Sequence, residues 1–164
     1  MKSPLYLLDS YAFIYRSYFA FLSRPLRNAS GANVSAAFGF FRFLFNLFDE
    51  RNPGAFAAVF DPKGKNFRHE LYPEYKANRQ KTPEELHAQV PLVEEILKAL
   101  GLPILRAEGY EADDVIATLA ERCRAEGREC WIVSGDKDLL QLVGGPVKAL
   151  RPDSSFAFRP YGVE

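Results

Sequence analysis

The sequence predicts an α/β fold of three layers, with a mainly parallel central sheet covered by helices on both faces. Three observations carry that expectation. The runs Leu5-Tyr6-Leu7-Leu8, Phe56-Ala57-Ala58-Val59-Phe60 and Trp131-Ile132-Val133 are short, continuous and apolar, which suits strands buried on both sides. Long segments with helical spacing separate them, and strands joined through such crossovers run parallel. Acidic residues follow each run: Asp9, Asp61, and Asp136 with Asp138 after Ser134-Gly135. The carboxyl ends of parallel strands line one edge of the sheet, where ligands bind, so acids that end different strands become neighbours.

Along the chain, a strand is expected near 4–8, helices over 10–22 and 34–50, and a strand near 55–60. A polar interlude follows, at about 62–82. Helix resumes from Pro83 to Leu100, with Thr82 as N-cap, Pro83 at the first helical position, Glu85 three residues after the cap and Gly101 as the stop. A short strand near Ile104 leads to a helix from Ala112 to Glu126, stopped by Gly127. A strand from Cys130 to Ser134, a short helix ending at Leu142 and a last strand at 147–150 complete the order. Phe38, Phe41, Phe45 and Phe48 recur at helical spacing. A base-stacking platform is one reading of them, but a helix in a two-sided layer needs a wide apolar face, so core packing is expected.

With 164 residues, 48% of them hydrophobic, the chain suits one domain with one sizeable core. Lysine plus arginine and aspartate plus glutamate both number 21, so the formal net charge is zero and any affinity for nucleic acid must come from a local patch. Cys123 and Cys130 lack metal-ligand spacing, and only His69 and His87 could assist them, so no zinc site is expected. Few cysteines and no secretory apolar region suggest a reducing cytoplasm. Ala36 to Phe48, the longest apolar stretch, is interrupted by Arg42 and is too short to span a bilayer, so no membrane association is expected.

Glu111, Asp113 and Asp114 open the amphipathic stretch, and with Asp9, Asp61, Asp136 and Asp138 they make seven carboxylate candidates for one site. Two unit charges about 4 Å apart repel by about 4 kcal/mol at an effective dielectric near 20. Such a cluster takes up protons or holds cations, and an all-oxygen set suits Mg²⁺ or Mn²⁺. The bland readings are that single aspartates after strands act as caps or turn formers and that acids at a helix start answer the helix dipole. They do not account for the recurrence.

The interlude differs in kind. Lys63, Lys65, Arg68, Lys76, Arg79 and Lys81 face only Glu70 and Glu74, six bases against two acids, with Tyr72 and Tyr75 among them. On a helix, Tyr72 and Lys76, and Tyr75 and Arg79, would lie one turn apart. Bases interleaved with aromatics suit a nucleic-acid strand, although a solvated surface segment is the competing reading. Arg16, about two turns into the helix after Asp9, suits either a phosphate contact or a snorkelling surface residue.

These residues resemble the 5′-nuclease domain of bacterial DNA polymerase I, related to phage and eukaryotic flap endonucleases. The resemblance rests on Leu7-Leu8-Asp9 with Arg16, Val59-Phe60-Asp61, Phe67-Arg68 with Tyr75-Lys76 and Arg79, Gly109-Tyr110-Glu111-Ala112-Asp113-Asp114, and Asp136-Lys137-Asp138-Leu139. They occur in the family's order over nearly the whole chain. The resemblance implies a PIN-like core over residues 1–164 that binds two divalent cations and hydrolyses DNA phosphodiesters in replication and repair. Its partners would be DNA with 5′ flaps or 5′ ends, RNA primers as a further candidate, and a polymerase portion in the full-length protein. It also implies that Asp9, Asp61, Glu111, Asp113 and Asp114 surround one metal and that Asp136 and Asp138 serve a second. Arg16 and Lys76 would steady the scissile phosphate, and the segment with Arg68, Tyr72, Tyr75 and Arg79 would form an arch over the 5′ strand. The sequence departs from the family in stopping before a Gly-Asp-x-Ser-Asp-Asn segment and a helix-turn-helix region, so an incomplete second metal site and impaired activity are expected. The alternative is a DNA-binding fragment without turnover that holds at most one metal. A phosphate-accepting receiver domain fits poorly, because Ser10 and Tyr11 follow Asp9 where an acidic pair would be needed.

Overall fold

The structure, a computed structural model of the chain, describes residues 2–78 and 81–162. Thirteen elements are formed: β1 (Leu5–Asp9), α1 (Ser10–Ala20), α2 (Ser35–Arg51), β2 (Ala55–Val59), α3 (Phe67–Leu71), α4 (Glu84–His87), α5 (Val90–Ala99), β3 (Ile104–Leu105), α6 (Ala112–Ala125), β4 (Cys130–Val133), a 3₁₀ helix (Asp138–Leu142), β5 (Val147–Pro152) and β6 (Phe158–Tyr161). They form one six-stranded sheet in the order β3-β2-β1-β4-β5-β6. All pairs are parallel except β5 with β6. The chain lays down β1, β2 and β3 in one direction and then returns to place β4 on the other side of β1, so a topological switch lies between β1 and β4.

Strand alternation sends side chains into two cores. Tyr6, Leu8, Phe56, Ala58, Phe60, Trp131 and Val133 face α1, α2 and α5, where Phe13, Ile14, Phe40, Leu44, Leu47, Val93 and Leu97 are buried against them. Leu7, Ala57, Val59, Ile132, Val147 and Ala149 face Ala112, Ile116, Ala120 and Cys123 of α6, with Leu139 of the 3₁₀ helix. The three-layer expectation therefore holds. Gly101 and Gly127 end their helices at φ +69° and +62°, a conformation that glycine adopts without a Cβ penalty. Among the described residues, no helix is long and apolar enough to cross a membrane.

Four expectations need correction. The helix read from Pro83 to Leu100 is broken into α4 and α5, because Pro91 has no N–H to bond the His87 carbonyl and its ring crowds that turn. Thr82 is not its cap; Pro83 holds that position, without a side-chain bond, and Glu85 instead accepts a hydrogen bond from Asn33. The break has a structural use: buried Gln89, in the turn between α4 and α5, accepts the Ala36 and Ala37 N–H groups at 2.8 and 3.1 Å and so caps α2. The second correction concerns the phenylalanine series: Phe41 is buried and Phe48 packs partly, but Phe38 and Phe45 are 49% and 52% exposed. Phe40, Phe43, Leu44 and Leu47 form the stripe toward the sheet, and at about 100° per residue the other series falls on a second stripe that turns away.

The third correction is β6, an antiparallel edge strand absent from the sequence reading, whose Pro160 tolerates an edge position. The fourth is the interlude. Its helix is limited to the five residues of α3, and residues 73–78 form turns. Pro73 disfavours helical backbone at Tyr72, which is extended, and Lys76 has φ +60°. Tyr72 and Lys76 therefore do not share a helix face, and Arg79 lies outside the described residues.

Helices α1 and α2 meet at Gly39. A Cβ there would stand 2.5 Å from Ser17 Cβ and 3.3 Å from Ser17 Cα, contacts that rotamer change cannot relieve. Gly39→Ala is expected to destabilise the chain by about 1–3 kcal/mol, overriding the roughly 1 kcal/mol that alanine contributes to a helix. Urea unfolding measures it, and equal or greater stability of the variant would refute this account of the helix contact.

Candidate active site

The strand ends deliver the acids to one place. A cavity of about 650 Å³ opens at the carboxyl edge of the sheet and is lined by Asp9, Asp61, Glu111, Asp113 and Asp136, with Arg16, Lys76, Tyr11, Tyr15 and Thr82 around them. Asp9 ends β1 and is buried, and Asp61 follows β2. Asp61 Oδ1 accepts the Ala112 N–H at 2.8 Å, which ties the β2 loop to the first turn of α6 and supplies a negative charge at the helix N-terminus. Glu111 and Asp113 enter from that same turn. Asp114 and Asp138 do not line the cavity. Asp138 is exposed at the start of the 3₁₀ helix, where its N–H donates to Asp136 Oδ1 at 2.9 Å.

Burial and mutual repulsion set the charge states. Burial raises Asp9 to about 6, with the Asp113 and Asp61 charges adding to the rise and a hydrogen bond from Ser134 opposing it. Burial likewise raises Asp113 to about 6, helped by Asp136, Asp61 and Glu111. Glu111 behaves oppositely: burial disfavours its charge, but Lys76, Arg68 and Asn66 outweigh that and hold it below its ordinary value. The hydrogen bond from Arg68 does the same for Asp114.

The basic segment folds down onto two of the acids. Arg68 clasps Asp114 with two bonds of 2.6 and 2.7 Å, a bidentate pairing, and stands 3.8 Å from Glu111. Lys76 Nζ donates to Glu111 Oε1 at 2.6 Å, and the Tyr75 hydroxyl reaches Oε2 at 3.3 Å. Tyr72 is exposed and donates to Glu74, away from the cavity. The expected cationic face is thus partly engaged by acids of the site itself. Arg16 lines the cavity and donates to the Asp153 carbonyl at 3.0 Å, which aims a helix-surface residue at the site.

Two neutral residues at the site escaped the sequence reading. Asn66 is buried, caps α3 with its Oδ1 and donates its Nδ2 to Glu111 Oε1 at 2.7 Å. Ser134 is buried beneath Asp9. A polar residue next to each acid run was the available signal, but serine and asparagine are common turn formers and the spacing alone gives them no partner.

The donor set suits a hard divalent cation: its carboxylates converge on one cavity, where burial first and neighbouring carboxylates second raise Asp9 and Asp113, and among the described residues the lining contains no cysteine or histidine. Among the described residues, no three His, Cys, Asp or Glu side chains already stand close enough together to hold a metal ion between them.

Comparison with known proteins gives a consistent result. The sequence model of the family described as 5′-3′ exonuclease, N-terminal resolvase-like domain, matches residues 4–163. The chain is 58% identical over 152 residues to a DNA polymerase I of Treponema pallidum (strain Nichols), covering 93% of this chain and 15% of that protein. It is 43% identical over 166 residues to a 5′-3′ exonuclease of Aquifex aeolicus (strain VF5), covering 98% of this chain and 57% of the relative. The crystal structure of T5 D15 protein co-crystallised with metal ions superposes with a TM-score of 0.63 at 25% identity, covering 96% of this chain and 56% of that one. The chain therefore spans between about one seventh and somewhat over half of these relatives' lengths.

The raised acids make a pH prediction for metal-stripped protein. A carboxyl whose folded pKa is about 6 against an ordinary 3.8 contributes stability below pH 3.8 and loses it as pH rises through 6. Thermal unfolding in EDTA is expected to show Tm falling between pH 4 and 7 on this account. Asp113→Asn should flatten the fall and unfold at higher temperature than wild type at pH 8, by roughly 2–4 °C per kcal/mol recovered. Parallel pH profiles for the two proteins would show that burial and neighbouring charge do not raise Asp113.

Proposed function

The chain belongs to the 5′-3′ exonuclease family, N-terminal resolvase-like domain, and from that premise we propose that it is the core of a metal-dependent, structure-specific 5′-nuclease acting on DNA. The single observation that carries this reading is the convergence of Asp9, Asp61, Glu111, Asp113 and Asp136 on one cavity that also presents Arg16 and Lys76. A carboxylate cluster alone repels a polyanion. Cations held by it, with two flanking bases, make it a phosphate site.

Asp9, Asp61, Asp113 and Asp136 are the residues proposed to hold Mg²⁺ or Mn²⁺, with Glu111 shared between cation and arch. A bound divalent cation supplies Lewis acidity toward the phosphoryl oxygens and a reactive water at neutral pH. Around it, Arg16 binds a non-bridging phosphate oxygen while Asp153 holds its guanidinium in place. Lys76 neutralises charge on the same phosphate after leaving Glu111, and no covalent protein nucleophile is required. Tyr75, half-buried beside Arg68 and Lys76, offers a ring for a base adjacent to the scissile bond. Two metal positions, 5′ flaps or 5′ ends as the DNA form, RNA primers as further substrates and a cytoplasmic location belong to the same proposal.

One observation favours a second reading. Glu111 already accepts from Asn66, Lys76 and Tyr75, and Asp114 is occupied by Arg68. With those acids engaged, the chain would hold at most one cation and bind DNA without cutting it.

Cleavage of a 5′-labelled flap duplex separates the two readings. Cutting near the junction is expected with Mg²⁺ or Mn²⁺, abolished by EDTA and reduced at least about 10²-fold by Asp113→Asn or Lys76→Ala. Binding without metal-dependent cutting, in protein shown to be folded, would favour the second reading. Cutting that persists in EDTA would overturn the first.

A further inference from the structure

Ser134 lies at the switch point, where β1 and β4 run side by side. Leu8 pairs with Val133, so Asp9 and Ser134 occupy the next rung beyond the paired residues. Ser134 is 3% exposed. Its hydroxyl oxygen is 2.6 Å from Asp9 Oδ2 and 2.9 Å from the Asp136 backbone nitrogen. The polarity of this pair is determined by chemistry: a backbone N–H only donates and an ionised carboxylate only accepts. The hydroxyl therefore accepts from Asp136 and has its single proton directed at Asp9.

One side chain thus connects two acids that come from different strands. Without it, the Asp9 carboxylate would keep the Ala12 N–H but lose its side-chain partner on β4, and the loop after β4 would lose its hydrogen-bonded link to Asp9. Gly135 gives that loop no side chain of its own with which to hold it; the nearest neighbour of a Cβ there would be Pro152 at 3.7 Å. The loop's other ties run to β5, where the Ser134 N–H donates to the Leu150 carbonyl at 3.1 Å and Arg151 donates to the Gly135 carbonyl at 3.2 Å.

We infer that Ser134 is a positioning residue for cation binding: it fixes one oxygen of Asp9 and the backbone of Asp136 to each other, so that the two acids form a preset pair. This rests on the metal-dependent reading above. The competing role is that of a buried serine satisfied by its neighbours, which would support folding only. The two differ in what they do to the affinity of folded protein for a cation. Outer partners that orient ligands typically change metal affinity by 10–100-fold when removed.

The test is Mn²⁺ binding to the whole chain without DNA, by calorimetry or electron paramagnetic resonance, for wild type, Ser134→Ala and Ser134→Thr. Thermal unfolding in EDTA establishes that each is folded. Ser134→Ala is expected to bind Mn²⁺ at least tenfold more weakly, and Ser134→Thr, which keeps the hydroxyl, to stay near wild type. An alanine variant that is less stable but keeps wild-type Mn²⁺ affinity overturns the inference, as does a folded threonine variant that binds as weakly as alanine. Should the alanine variant fail to fold, Ser134→Cys, similar in size but a weak donor, is judged by the same affinity criterion. Absence of Mn²⁺ binding by wild type overturns the metal-dependent reading and this inference with it, and the wild-type titration alone identifies that case.

Discussion

Parallel strands release their chains at the same edge of a sheet, and here the ends of β1, β2 and β4 carry Asp9, Asp61 and Asp136 while the first turn of α6 adds Glu111 and Asp113. Repulsion among these carboxylates is the constraint to which the rest of the site answers. It adds to the burial that raises Asp9 and Asp113 to about 6, and each remaining acid lining the cavity has a cation, an N–H or a hydroxyl directed at it. An acid cluster of this kind is tolerable only because the two cores beneath it are large. Strands buried on both faces hold their ends in place against the repulsion.

The basic segment is best understood in the same terms. Arg68 and Lys76 are close enough to Asp114 and Glu111 to neutralise them, so this face contains its own counter-ions. Under the proposed function, a phosphate that took Lys76 away from Glu111 would leave that carboxylate without its nearest base. Phosphate and cation would then be coupled by charge: the acid released by one would be made available to the other. Asn66 connects that exchange to the backbone, since a single amide caps α3 and donates to Glu111. The start of α3 and the orientation of an acid in the cavity are thereby parts of one hydrogen-bonded unit.

What the chain by itself determined follows from local physics. Short continuous apolar runs suited buried strands, their helical connections implied a parallel sheet, and a parallel sheet brings Asp9, Asp61 and Asp136 to one edge. The motif spacing was specific enough to indicate the family from these residues, and Gly101 and Gly127 marked helix ends because few other residues suit a positive φ. The second stripe of α2 was harder to place: Phe38 and Phe45 have the spacing of a packed face, but spacing does not say which of two faces meets the sheet.

Only the tertiary structure decided the partners. Arg68 and Asp114 are 46 residues apart, Lys76 and Glu111 35, and Ser134 and Asp9 125, and no local periodicity relates such positions. The edge strand β6 and the break before Pro91 are of the same kind. The four-residue β6 forms because β5 offers it an unpaired edge, and Gln89, in the turn before α5, caps α2 because the layers bring the two together. Sequence pattern records where a side chain points relative to its own element; which charge or N–H it meets there depends on how the elements pack, and that information exists only once the chain has folded.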